Sequence, residues 1–156
     1  MGLEKGKVRW GVLGTATIAE NHTLPAMKEA CNCQLYAIAG RDPEKTKRFQ
    51  EKFGFEKTYG SYAELLEDEN VDAVYIPLPN QLHKEWTIKA ARKKKHILCE
   101  KPLAPTVDEV KEVVEICRQE GVILMEAFAY LHSKATREVI QAVRGGAVGK
   151  PLFVET

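Results

Sequence analysis

What this chain of 156 residues has little of narrows its class first. It has no run of about 20 apolar residues, so no segment reads as a membrane span, and its start, Met-Gly-Leu-Glu-Lys, lacks the apolar stretch of a secretion signal. A soluble, cytoplasmic protein is the expectation. It has no excess of one charge: 23 basic residues against 22 acidic leave a net +1, too little to steer nucleic acid or an anionic membrane. Neither is expected as a partner, and any phosphate recognition has to be local. Cys-x-x-Cys spacing is missing too. The four cysteines are scattered, and Cys31-Asn32-Cys33 has no second cluster to complete a ligand set, so reduced thiols and no metal site are expected. A chain of this length buries one good core and no second.

What is present alternates. Apolar runs at Val8 to Leu13, Gln34 to Gly40, Val71 to Ile76, His96 to Glu100 and Val122 to Ala127 read as strands, with at most a short one at Thr58-Tyr59. Between them lie helical segments: one ending near Ala30, Glu44 to Phe53, one capped by Ser61, Gln81 to Lys95, and one capped by Thr106 with Val110, Val113, Val114 and Cys117 as its buried stripe. Ser133 to Val143 is a last helix. The basic run Arg92 to Lys95 reads as a solvated helix end opposing the dipole rather than as a binding patch. Strands separated by helices of this length need right-handed crossovers and a parallel sheet covered on both faces, which is a doubly wound α/β domain. Ligands in such folds sit beyond the carboxyl ends of the strands, so the residues just after each strand carry the information.

Gly14-Thr15-Ala16-Thr17-Ile18-Ala19 follows the first strand and reads G-x-A-x-x-A where a dinucleotide fingerprint has G-x-G-x-x-G/A. Gly14 supplies the turn, and the free N–H groups of the helix start can hold a phosphate. The methyl of Ala16 stands where a second glycine would let a pyrophosphate come closest. An ordinary strand-to-helix turn without ligand reads the same way. Where an acid would take a ribose diol, at the end of the second strand, stands Arg41, whose planar fork suits the 2′-phosphate of NADP; Asp42 beside it is the alternative diol contact. Glu100-Lys101-Pro102 ends a further strand and projects a cation toward the same edge, as a hydride-transfer site requires for the substrate oxygen.

In combination, Gly11-Val12-Leu13-Gly14 with Ile18-Ala19, Tyr75-Ile76-Pro77-Leu78-Pro79-Asn80 with His83, Cys99-Glu100-Lys101-Pro102-Leu103-Ala104 and Met125-Glu126-Ala127-Phe128 closely resemble the N-terminal half of the Gfo/Idh/MocA oxidoreductases. The resemblance runs over nearly the whole chain and is greatest to the NADP-dependent sugar and dihydrodiol dehydrogenases. It implies a Rossmann NAD(P)-binding domain over residues 1–131, followed at 132–156 by a connecting helix and the first strand of a second domain absent from this chain. It implies that Lys101 is the catalytic lysine on the reacting hydroxyl or carbonyl. Gly14, Thr15, Ala16, Ile18, Arg41, Pro79, Asn80, His83, Glu100 and Lys101 are then the cofactor-side set, with NADP as cofactor and NAD as the alternative. Tyr130 falls where some members place a substrate-side tyrosine. A common family form has a longer spacer before the histidine and a proline after it; here the chain reads Tyr130-Leu131-His132-Ser133, which leaves the roles of Tyr130 and His132 open.

The implied activity is hydride transfer between NADP(H) and a sugar, cyclic polyol or dihydrodiol, in a homo-oligomer when full-length; a non-catalytic NAD(P)-sensing relative is the alternative. Pro151 to Thr156 is expected to pack against the domain or to pair with the same segment of a neighbouring copy.

Overall fold

A computed structural model describes residues 6–153. The chain divides into two compact units, Met1–Glu126 and Ala127–Thr156. In the first, six strands form one parallel sheet: β1 Val8–Leu13, β2 Cys33–Ala39, β3 Lys57–Tyr59, β4 Ala73–Ile76, β5 His96–Cys99 and β6 Leu124–Glu126, in the order β3-β2-β1-β4-β5-β6. The helices between them are α1 Leu24–Glu29, α2 Pro43–Phe53, α3 Tyr62–Glu67, α4 Asn80–Arg92 and α5 Val107–Glu120. The order reverses between β1 and β4, so the crevice between their carboxyl ends is the topological switch point at which such sheets bind ligands.

Both faces of the sheet are buried, which is why its strands are apolar throughout. Leu13, Ala39, Val74 and Ile76 point to one face, where Leu65, Ala90, Val113 and Cys117 of α3, α4 and α5 cover them. Their neighbours Val12, Ile38 and Tyr75 point to the other, against Leu24, Met27, Phe49 and Phe53 of α1 and α2. Each fully buried large side chain contributes about 1.5–3 kcal/mol. The β1 position facing α3 has to be a glycine: a Cβ on Gly11 would lie 2.6 Å from Leu65 Cδ2 and 3.1 Å from Val71 Cγ1.

The caps read from the sequence at Ser61 and Thr106 form as hydrogen bonds, and Asp42 adds one that was not read there. Asp42 accepts from Lys45 N–H at 3.1 Å, Ser61 from Glu64 N–H at 3.2 Å and Thr106 from Glu109 N–H at 3.3 Å. Four readings change. The first helix opens with a π-helical stretch, Ala19–Thr23. Only Val113 and Cys117 of the α5 stripe are buried, while Val114 is exposed. The helix expected to reach Lys95 stops at Arg92, because Lys94 takes a left-handed φ of 59° that turns the chain into β5. The basic run is consequently not one solvated end. Lys93 pairs with Glu67 at 2.6 Å and Lys94 with Glu120 at 2.5 Å, whereas Lys95 is buried and donates to the backbone oxygens of Asp68 and Val71, both at 2.8 Å.

The second unit begins at Ala127, earlier than the boundary expected after 131, because β6 ends at Glu126 and the 3₁₀ turn Ala129–His132 buries none of its residues. Its helix α6, Lys134–Arg144, is capped by Ser133 on Thr136 N–H at 3.1 Å. Of the terminal segment, Pro151 to Phe153 has no regular structure, with Leu152 90% and Phe153 80% exposed, while Val154 to Thr156 lie outside the described residues; pairing with a neighbouring copy is not tested by a single chain. Two apolar side chains on so short a segment bury nothing without a strand beside them. Among the described residues no helix is long and apolar enough to cross a membrane.

Candidate functional site

The carboxyl end of β1 opens into a cleft of about 380 Å³ lined by Gly14, Thr15, Ala16, Arg41 and Pro79. Gly14 has φ of +111°, a conformation side chains resist, and a Cβ there would press to 3.1 Å from Leu78 Cδ2. Its N–H is taken by Ala39 O at 2.8 Å, which fastens the turn to β2. The helix closes its first bond from Glu20 N–H to Ala16 O at 3.1 Å, so the N–H groups of the turn before it have no helical acceptor. Ala16 lines the cleft beside them. Ile18, one residue further, is 45% exposed.

Arg41 is exposed at the end of β2 and forms no ion pair with Asp42 among the described residues. Asp42 also lines the cleft, and its Oδ1 caps α2 by accepting from Lys45 N–H. The cleft gains a second cation that sequence reading missed: Lys45, one helical turn on and half-buried, lines it together with Arg41, and Tyr62 closes its side. Capping by Asp42 fixes α2 and thereby the place of Lys45.

Glu100, Lys101 and Asn80 stand after the adjoining strands β5 and β4. Glu100 N–H donates to Ile76 O at 3.1 Å, and its Oε1 accepts from the Tyr75 hydroxyl at 2.8 Å. Tyr75 is fully buried, and its oxygen lies 2.9 Å from Thr23 Oγ1. Burial pushes the Tyr75 phenol well above its ordinary pKa, so it stays protonated and gives its hydrogen to the carboxylate; Thr23 then donates to Tyr75. A relay Thr23 to Tyr75 to Glu100 thus crosses the sheet from the first helix to the lysine loop. Lys101 is exposed, and the Lys101–Pro102 peptide is cis. Glu126 at the end of β6 accepts from Leu103 N–H at 2.8 Å, holding the far side of that loop.

His83 lies between the loop after β4 and the lysine loop, with both ring nitrogens engaged. Its side chain is fully buried, with Nδ1 2.7 Å from Pro102 O and Nε2 2.7 Å from Leu78 O, so it has no free nitrogen for a cofactor. The leucine carbonyl and the lysine loop capture the ring from both sides. Tyr130 lies in the second unit, 59% exposed, its ring edge-on to Phe128 at 5.9 Å between centroids.

With the switch-point cleft, the glycine turn and the Glu-Lys-Pro loop in place, the comparisons fall into line: residues 8–128 match the model of an oxidoreductase family with an NAD-binding Rossmann fold. The chain belongs to the Gfo/Idh/MocA oxidoreductase family. It is 41% identical over 143 residues to a dTDP-3,4-didehydro-2,6-dideoxy-alpha-D-glucose 3-reductase of Actinomadura kijaniata, covering 92% of this chain and 43% of that protein. It is 42% identical over 134 residues to D-xylose 1-dehydrogenase (NADP(+)) 2 of Haloferax volcanii, covering 86% and 41%. The crystal structure of KijD10, a 3-ketoreductase from Actinomadura kijaniata in complex with NADP, superposes with a TM-score of 0.88 at 41% identity, over 93% of this chain and 46% of that one. The chain therefore spans less than half the length of these relatives.

Proposed function

We propose that this Gfo/Idh/MocA chain is the nucleotide-binding part of an enzyme that transfers a hydride between NADP(H) and a small sugar, cyclic polyol or dihydrodiol. What carries the reading is the cleft at the β1/β4 switch point, where an N–H cradle and the two cations Arg41 and Lys45 share one wall. The residues fit a dinucleotide. The turn after Gly14 offers unpaired N–H groups to a pyrophosphate, and its glycine keeps side-chain bulk away from the approach. Arg41 and Lys45 would hold a 2′-phosphate, two cations lining the cleft against the single acid Asp42, whose Oδ1 also caps α2.

NADP supplies the hydride or accepts it. The protein does the rest: Asn80 and Glu100 line the ribose on the nicotinamide side, and Lys101 donates a hydrogen bond to the reacting oxygen, stabilising the charge that builds there. Tyr130 is proposed as the substrate-side hydroxyl. The relatives' names support the substrate class, one being a dTDP-sugar 3-reductase and another an NADP-dependent xylose dehydrogenase.

Calorimetry with NADPH and NADH on the wild type and Arg41→Ala tests the assignment. One charge-assisted hydrogen bond contributes about 1.5–3 kcal/mol, so the variant should lose at least about tenfold in affinity for NADPH and hardly change for NADH. Equal affinity of the wild type for both cofactors would refute the role of Arg41.

A further inference from the structure

The ring of His83 meets two hydrogen-bond acceptors and nothing else. Backbone carbonyl oxygens cannot donate, yet Pro102 O and Leu78 O each lie 2.7 Å from a ring nitrogen. A ring with a single N–H would set a nitrogen lone pair against a carbonyl lone pair at hydrogen-bond distance, inside a fully buried site where no water relieves it. Both contacts are satisfied only when both nitrogens carry hydrogen.

We propose that His83 is a positioning residue for Lys101: a doubly protonated ring that ties the lysine loop to the loop after β4, so that the ammonium stands at a set distance from the cofactor cleft. The proposal rests on Lys101 as the lysine of the hydride site. The two carbonyls that His83 joins belong to the two loops that flank the reaction. Leu78 precedes Pro79 and Asn80, and Pro102 follows Lys101 directly. On its other side the same loop is held by Leu103 N–H on Glu126 at 2.8 Å, so Lys101 stands on a segment pinned at both of the next two residues.

Charged groups stand on the elements around the ring. On α4 itself, Lys84 is paired with Glu109 at 3.4 Å and Glu112 at 2.8 Å of α5. The lysine loop brings Glu100 and Lys101, and β6 brings Glu126. Four carboxylates thus stand against two lysines. His83 is the fourth residue of α4, so the positive end of that helix and the burial of the ring both oppose the charge, whereas charge-assisted hydrogen bonds to two carbonyls act directly on the ring.

Nitrogen NMR of the chain with isotope-labelled histidine reads the ring near neutral pH, without any cofactor. Two protonated nitrogens on His83, both N–H groups slow to exchange, are expected; a ring with one protonated nitrogen overturns the proposal. Amide exchange then reads the loop. In His83→Phe, with both tethers removed, the Leu103 amide should exchange at least about tenfold faster, while the Val12 and Ile38 amides of the sheet stay unchanged. His83→Gln, which keeps one donor, should fall between. Should His83→Phe fail to fold, the labelled wild type and His83→Gln still decide the matter. Unchanged Leu103 exchange in the glutamine variant overturns the positioning role. In the full-length enzyme the glutamine variant should lower kcat at least about tenfold with the KM for NADP nearly constant. Because the first two measurements need no turnover, failure of the hydride reading and failure of the clamp give different results.

Discussion

Tyr75→Phe removes one oxygen from the centre of the sheet and changes almost no volume, which makes it a clean probe of how the lysine loop is held. The hydroxyl donates to Glu100 Oε1 at 2.8 Å and lies 2.9 Å from Thr23 Oγ1. A hydrogen bond to a charged acceptor contributes about 1.5–3 kcal/mol and one between neutral groups about 0.5–1.5 kcal/mol. Glu100 is half-buried, so water can partly replace its lost donor, which places the first contribution at its lower end. Thr23 can likewise turn to water. The net cost should be about 2 kcal/mol, a shift of about 1 M in the urea midpoint at a slope of about 2 kcal/mol per M. Trp10 in β1 and Trp86 in α4 report the unfolding of this unit by fluorescence. The second arm is a double-mutant cycle with Glu100→Gln. If the phenol acts through the carboxylate, the two changes should be coupled by about 1 kcal/mol or more. A Tyr75→Phe protein within about 0.5 kcal/mol of wild type, or two strictly additive changes, would refute the relay.

Two further outcomes follow from the same structure. Lys101→Met in the full-length enzyme should cut kcat by about 10²-fold or more while leaving NADPH affinity nearly intact, and a variant keeping most of its kcat would make the lysine structural. Stability should also fall in acid. The Arg9 guanidinium, bonded to Asp72 through two nitrogens at 2.9 and 3.0 Å, holds that carboxyl below its ordinary value. Asp68 is pushed up by burial but held well below the usual range by hydrogen bonds from Tyr59, Asn70 and Lys57. A depressed carboxyl stabilises the fold above its unfolded pKa of about 4 and loses that contribution as pH falls through the lower folded value. Urea midpoints between pH 7 and about 2 should therefore decline below about pH 4, less so in Asp72→Asn, where one of the two groups no longer titrates; a midpoint flat in this window would refute the linkage.

How much of this was legible in the sequence depends on where each signal resides. The strands and most helices were legible because burial on both faces demands apolar runs, and because Ser61 and Thr106 announce helix starts within three residues of the N–H they accept. The edge of the sheet that carries the site was legible for a topological reason. Parallel strands with crossover helices put every residue after a strand on one rim, so Gly14, Arg41, Asn80 and Lys101 meet there whatever their individual contacts. Val114 was misread because a helix of fourteen residues covers the sheet with a narrower stripe than its apolar positions suggest.

The contacts of His83 and Lys95 escaped the sequence for a common reason. Both residue types carry a prior for function or for solvent, and both turn out to be struts whose partners are backbone oxygens: Leu78 and Pro102 for the histidine, Asp68 and Val71 for the lysine. Every residue has a carbonyl, so an acceptor of this kind leaves no mark on residue identity and no spacing to find. The Tyr75–Glu100 pair does join two side chains, but across 25 positions, and only the adjacency of β4 and β5 brings them together. The groups that face a ligand are therefore readable from their place in the fold, whereas the groups that hold them still are readable only from coordinates. On the proposed reading, a substitution that keeps Lys101, Glu100 and Asn80 intact would still disable the site by releasing a carbonyl that His83 holds.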